Sequence, residues 1–234
     1  MYVRTVGERD LNFAVSGKLW NRSLVMRDRE TGTLWSHLLG EAMEGELKGA
    51  RLEMISSQMT DWKTWREQEP DTTVVNLSRT SKEYRKDFYR DPSLFVLGLR
   101  VGMKTKAWPF DELVKKRVVN DQVGDLPVVI FFDRESLTAQ VFERRVDGQE
   151  IRFRAVDERI VDLTHGSLWD GLKGKAMNGP AEGKRLVALP GIVSGLVPWV
   201  TFHPDTEGLS VEAIKHAREN SFLRRGGRRG TRRQ

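Results

Sequence analysis

Hydrophobic and polar positions along the chain alternate over short distances, and strands dominate what they predict. Residues 128–132, VVIFF, form a continuous apolar run, the pattern of a strand buried on both faces. Leu11, Phe13 and Val15 alternate with polar neighbours, the period of two that marks a half-buried strand. Segments 139–146 and 151–156 flank Asp147-Gly148, a pair suited to the positive φ angles of a tight turn, so a hairpin is predicted there. Glycines at 40, 45 and 49 interrupt any helix, which leaves short strands and turns.

Helical spacing is confined to three places. In 60–68, TDWKTWREQ, Thr60 is the predicted N-cap, Trp62 and Trp65 share a face, and Pro70 ends the run. Residues 211–223 carry an apolar stripe of Val211, Ile214, Ala217 and Phe222 behind the capping residue Ser210. A shorter helix is predicted over 111–117, after Pro109. Segment 76–93, charged and rich in Ser and Thr, reads as a linker.

The chain also repeats itself. ETGTLWSHLLGEAMEG at 30–45 returns as THGSLWDGLKGKAMNG at 164–179. An offset of 134 aligns 28–72 with 162–206 without a gap, and 16 of the 45 positions are identical. The shared set includes Asp28/Asp162, Trp35/Trp169, Gly40/Gly174, Gly45/Gly179, Trp65/Trp199 and Pro-Asp-Thr at 70–72 and 204–206. Upstream, VGERDLNFAV at 6–15 corresponds to VDGQEIRFRA at 146–155, so the second copy is six residues shorter between the blocks. A gap there predicts a surface loop tolerant of length change. Residues 98–145 have no counterpart in the first copy, which makes one and a half units.

Charge adds less than it promises. Of 39 basic and 33 acidic residues, the six-residue excess equals Arg224, Arg225, Arg228, Arg229, Arg232 and Arg233 of the tail RRGGRRGTRRQ. The rest is formally neutral, and the tail composition predicts disorder. A solubilising end is the simpler reading; contact with an anionic surface or nucleic acid is the alternative. No cysteine is present, which excludes disulfides, thiolate nucleophiles and cysteine-held metals. No apolar run approaches the roughly 18–20 residues of a membrane helix, and no signal peptide is visible, so the chain as written reads as cytoplasmic.

Candidate chemistry is sparse. Trp35, Trp169, Trp65 and Trp199 would suit stacking on a sugar or base, but rings that bury roughly 150–250 Å² favour the core. Asp28 and Asp162 could serve as acid–base groups or, three to four residues before a glycine, as Asx turns. His203, beside Pro204-Asp205, is the best-placed histidine, yet Glu69 stands opposite it in the first copy. No phosphate loop, nucleophile elbow or metal-ligand spacing occurs, and no cofactor is implied.

The string FAVSGKLWNRSLVMRDRETGTLWSHLLGEAMEG, with GMKTKAWPF (102–110), VVNDQVGDLPVVIFF (118–132) and VFERRVDGQEIRF (141–153), resembles domain-of-unknown-function family 3179 over about 2–207. The resemblance implies no established activity. It does imply frequent export behind an N-terminal signal, and a Cys-Pro-x-Cys-Gly box after the Val-rich strand. Here the box positions hold Asp133, Arg134, Glu135, Ser136 and Leu137, so the expectation is an amino-terminally shortened or degenerate member.

The predicted architecture is α+β, predominantly β, with two homologous units packed about a pseudo-twofold. Expected boundaries are 1–77 for the incomplete first unit, 78–97 for the linker, 98–207 for the second unit, 208–223 for a C-terminal helix and 224–234 for the tail. The leading functional expectation is a non-catalytic binding, structural or accessory protein, with a protein partner or self-association. The rivals are a hydrolase or carbohydrate-active enzyme using Asp28, Asp162, His203 and Asp205 in a groove between the copies, and nucleic-acid binding through the tail.

Overall fold

The computed structural model describes residues 1–74 and 91–223; most of the expected linker and the whole Arg/Gly tail lie outside the described residues. The protein is a β-rich α+β fold, as the pattern of the sequence predicts, with eighteen strands and four α-helices among the described residues.

The first repeat opens with a minimal hairpin, β1 (Thr5–Val6) and β2 (Arg9–Asp10). A four-stranded antiparallel meander follows: β3 (Phe13–Trp20), β4 (Ser23–Asp28), β5 (Leu34–Ser36) and β6 (Glu41–Glu44). Helix α1 (Trp62–Gln68) closes the repeat. The segment without an upstream counterpart supplies β7 (Phe95–Val101), β8 (Lys104–Pro109), α2 (Phe110–Lys115), β9 (Val118–Val123), β10 (Leu126–Asp133) and β11 (Thr138–Glu143). The second repeat then retraces the first as a hairpin, β12 (Arg145–Val146) and β13 (Gln149–Glu150), and a meander of β14 (Phe153–Val156), β15 (Arg159–Asp162), β16 (Leu168–Asp170) and β17 (Lys175–Asn178). Strand β18 (Ile192–Gly195), α3 (Leu196–Phe202) and α4 (Val211–Leu223) complete the chain.

The two meanders share register as well as sequence. Trp35 pairs with Ala42 and Trp169 with Ala176, each beside a bulge at the preceding leucine. Two of the repeated glycines have a steric cause. A Cβ on Gly40 would lie 2.4 Å from the ring of Tyr2, and one on Gly174 would lie 2.4 Å from the ring of Phe142. A Cβ on Gly45 or Gly179 would come within 2.8–3.0 Å of the backbone of Thr33 or Ser167. No side chain other than hydrogen fits at these points without moving a neighbour.

The apolar run VVIFF is the middle of β10, the central strand of the sheet β11–β10–β9. Alternation sends Val128, Ile130 and Phe132 into a core with Leu97, Trp108 and Phe110. Val129 and Phe131 enter another, with Ile151, Phe153 and Trp169. One strand thus anchors two layers, which is why no polar residue interrupts it.

Several local expectations need correction. The extra six residues of the first copy are not a loop. They lengthen β3 and β4 into an arm whose turn, Asn21-Arg22, takes positive φ at both residues (45° and 64°). Val15, read as half-buried, lies on that arm and is 71 % exposed. Residues 139–146 and 151–156 do not form one hairpin: β11 pairs with β10 and β14 with β15, and only β12–β13 closes across Asp147-Gly148. The cap of α1 is Asp61, whose Oδ1 accepts from Thr64 N at 2.8 Å, whereas the hydroxyl of Thr60 accepts from Thr138. Strand β7 begins at Phe95, inside the stretch expected to be linker. Val211 faces solvent rather than the apolar side of α4.

The chain divides into two compact units, and the repeats do not coincide with them. One unit is Met1–Ser57 together with the described chain from Ser194 onward; the other is Gln58–Val193. Each repeat therefore gives its helix away. Helix α1, from the first repeat, sits with the second meander, where Lys173 donates to the carbonyl of Gln68 (2.6 Å) and pairs with Glu69. Helix α3, from the second repeat, sits with the first meander, where Phe202 meets Trp20 edge-on at 4.8 Å. Residues 1–77 expressed alone would keep the first meander but lose α3 and α4, and α1 would lose Thr138 and Lys173. Helices this far below about 12–15 residues do not hold by themselves. The fragment is expected to show no cooperative thermal transition by circular dichroism; a cooperative, monomeric one would contradict the exchange.

Candidate functional site

Asp28 and Asp162 are buried, and their oxygens are occupied. The indole N–H of Trp35 donates to Asp28 Oδ2 at 2.8 Å, and Thr31 supplies its backbone N–H (2.6 Å) and hydroxyl (2.8 Å) to Oδ1. In the second copy Trp169 donates to Asp162 Oδ2 at 2.9 Å, with Ser167 N on the same oxygen and Thr164 N and His165 N on the other. The sequence forces this closure: the Asp ends one strand, a glycine-containing turn bends back, and the Trp seven residues on lies in the partner strand. The ring is driven into the core and its one polar atom meets the carboxylate.

The other repeated tryptophans use the same spacing in the opposite sense. Trp65 donates to Thr72 Oγ1 at 2.9 Å and Trp199 to Thr206 Oγ1 at 3.0 Å. Trp35, Trp169 and Trp199 are buried and Trp65 is half-buried. His203 closes the C-terminus of α3 through its backbone N–H to Trp199, with its ring 4.2 Å from the Trp199 ring. Asp205 is exposed. Asp28, His203 and Asp205 belong to one unit and Asp162 to the other.

Burial is the largest influence on both repeated carboxyls and pushes their pKa up. The indole and turn N–H bonds together outweigh it and hold both below the ordinary aspartate value. A group with a depressed folded pKa contributes stability that is fully present above its unfolded pKa of about 3.9 and is lost as pH falls through the folded value. In urea titrations from neutral pH downward, the wild-type protein is therefore expected to lose stability below about pH 4. The variant Asp28→Asn/Asp162→Asn, weaker at neutral pH because an amide N–H faces the turn N–H groups, should lose less over the same interval. An identical acid slope in both proteins would contradict the assignment.

A cleft with open chemistry lies elsewhere, in the unit Gln58–Val193. It has a volume of about 370 Å³, between the C-terminal end of β10 and the strands β15 to β17. Phe131, Ile160, Trp169, Leu172 and Met177 are among its apolar lining, and Arg117, Asp133, Glu158, Arg159 and Asp170 its charges. Arg117 pairs with Glu158. Asp170 Oδ1 accepts from the backbone N–H groups of Leu172 and Lys173, both at 3.0 Å. Asp133 Oδ2 accepts from the N–H and hydroxyl of Ser136, and Ser136 continues to Thr138 and Thr60. Asp133 Oδ1, Asp170 Oδ2 and the guanidinium of Arg159 make no hydrogen bond or ion pair with the described residues. Apart from the adjacent Glu158 and Arg159, no local spacing in the sequence joins these five charges, each of which reads as ordinary surface.

The family model for "Protein of unknown function (DUF3179)" matches the chain twice, over residues 1–94 and 92–221. The chain belongs to the DUF3179 family. The two matches meet at Pro92–Leu94, the short 3₁₀ turn that leads into β7. They thus recover the duplication. No curated protein and no solved structure matches. Within this DUF3179 chain the cleft belongs to the second match alone, because Arg117 and Phe131 to Asp133 lie in the segment that has no counterpart in the first repeat. Among the described residues, no group of three or more His, Cys, Asp or Glu side chains is placed to hold a metal ion, and no helix is long and apolar enough to cross a membrane.

Proposed function

We propose that this DUF3179 protein is a non-catalytic binding protein and that its ligand occupies the cleft beside β10. The observation that carries this reading is the pairing of an apolar wall with polar groups that have no partner among the described residues: Arg159, Asp133 Oδ1 and Asp170 Oδ2. Such a surface takes a small, largely apolar molecule with an acidic group and a hydrogen-bond donor. Among the described residues the lining holds no histidine, lysine, serine or threonine, so its ionisable groups are the carboxylates Asp133, Glu158 and Asp170 and the guanidiniums Arg117 and Arg159. The enzyme alternative draws no support from Asp28 and Asp162, whose oxygens are engaged in turn closure.

The probe 8-anilinonaphthalene-1-sulfonate has an aromatic body, an acidic group and one N–H. The native protein is expected to bind it saturably, at one class of site, with enhanced fluorescence. Arg159→Glu, an exposed change that leaves the core intact, should weaken binding about tenfold, the loss of one charge-assisted bond. Absence of saturable binding, or binding undiminished by the substitution, would refute the reading.

A further inference from the structure

The arm formed by β3 and β4 has no equivalent in the second repeat, where β14 and β15 are four residues each. Strand β5 pairs only with Val25 to Arg27, so residues 16–24 project past the sheet as a two-stranded ribbon. At the ribbon's tip Leu19 is 73 % accessible and Trp20 38 %, the latter even with Phe202 against one edge, and at its base Val15 is 71 % accessible. Leu19 pairs across the arm with half-buried Leu24, and Trp20 with Ser23, so the tip carries Leu19 on one face and Trp20 on the other, while Met26, opposite Val15, packs against the core of the meander. From Leu11 to Arg27 there is no acidic residue, while Lys18, Arg22 and Arg27 are basic. Lys18 and Arg27 are exposed and form no ion pair with the described residues.

Pairing with a partner strand does not suit this edge. A bulge separates Val15 from Leu19, Gly17 takes a φ of 76°, and the hydroxyl of Ser16 accepts from Lys18 N and donates to the Val25 carbonyl. Bulges and edge lysines are the devices that prevent strand addition. Exposed Leu, Val and Trp side chains among cations, with no acid, instead match the boundary of an anionic lipid bilayer, where apolar groups enter the interface and basic ones meet the headgroups.

We propose that this arm is a membrane-surface contact whose tip, led by the exposed Leu19, enters the interface of an anionic bilayer. The chain contains no cysteine, so Leu19→Cys provides a single labelling position for an environment-sensitive nitrobenzoxadiazole dye. Full-length protein is mixed with vesicles of phosphatidylcholine alone or with an equal part of phosphatidylserine. A label at position 19 should shift to the blue only with the anionic vesicles, whereas one introduced through Met103→Cys, on the exposed β7–β8 turn of the other unit, should not. In unlabelled protein, Lys18→Ala and Arg27→Ala should each reduce vesicle partitioning about fivefold, and Leu19→Ser should reduce it without altering charge. Co-sedimentation with no shift at position 19 would assign binding to the Arg-rich tail and overturn the proposal. Failure to bind vesicles, including self-association through the arm in their place, would overturn it equally.

Discussion

One bond, made twice, sets the geometry of this protein: a buried aspartate accepting from the indole of a tryptophan seven residues later. A carboxylate without partners in that position would cost several kcal/mol, so the Asp28–Trp35 and Asp162–Trp169 turns exist only in the closed form that supplies donors. Closure fixes the tryptophan rotamer, and the ring becomes the plug of the meander, with Phe13 or Phe153 edge-on at 5.6 and 5.3 Å. Ala42 or Ala176 then pairs across from it, and the glycines that follow make room for Thr33 or Ser167. Trp108 repeats the device outside the duplication, donating to Asp121 at 2.8 Å while Lys106 holds the other oxygen. In this chain an indole N–H is more than a tolerated polar atom; it determines where the ring goes.

The duplication and the compact units divide the chain differently, and the two repeats are elaborated differently. Each meander is completed by the helix of the other repeat, so neither repeat is self-sufficient. Only the second has β9 to β11 beneath its meander. There the end of β10 and the β15–β17 strands leave a cleft whose charges are incompletely satisfied. In the first repeat six extra residues build an arm instead. The same core unit therefore carries two different elaborations, a pocket in one copy and a projecting ribbon in the other.

Most of the repeated residues could be read in the sequence because identity across the offset marks contacts that a core cannot vary: Trp35/Trp169, Gly40/Gly174 and Gly45/Gly179 each touch a fixed neighbour. VVIFF was legible as a doubly buried strand for a different reason: an unbroken apolar run leaves no polar face for solvent. The arm was not, because an alignment gap states only a length, and its turn uses Asn21-Arg22 in place of the Asn-Gly or Asp-Gly that signals a tight hairpin. Helix α3 escaped prediction since LVPWVTF lacks polar periodicity, although the offset to 62–68 could have supplied it. The cleft was invisible for a deeper reason. Arg117, Asp133, Arg159 and Asp170 come from separate elements, and only tertiary structure brings them to one surface.

The central claim is that the buried indole–carboxylate bond, rather than tryptophan burial alone, holds each meander together. A double-mutant cycle at Asp162 and Trp169, using Asp162→Asn, Trp169→Phe and the pair in urea unfolding, isolates that bond. A coupling energy of about 1.5–3 kcal/mol, the range for hydrogen bonds to charged groups, is the predicted result. Additive effects within about 0.5 kcal/mol would contradict the account.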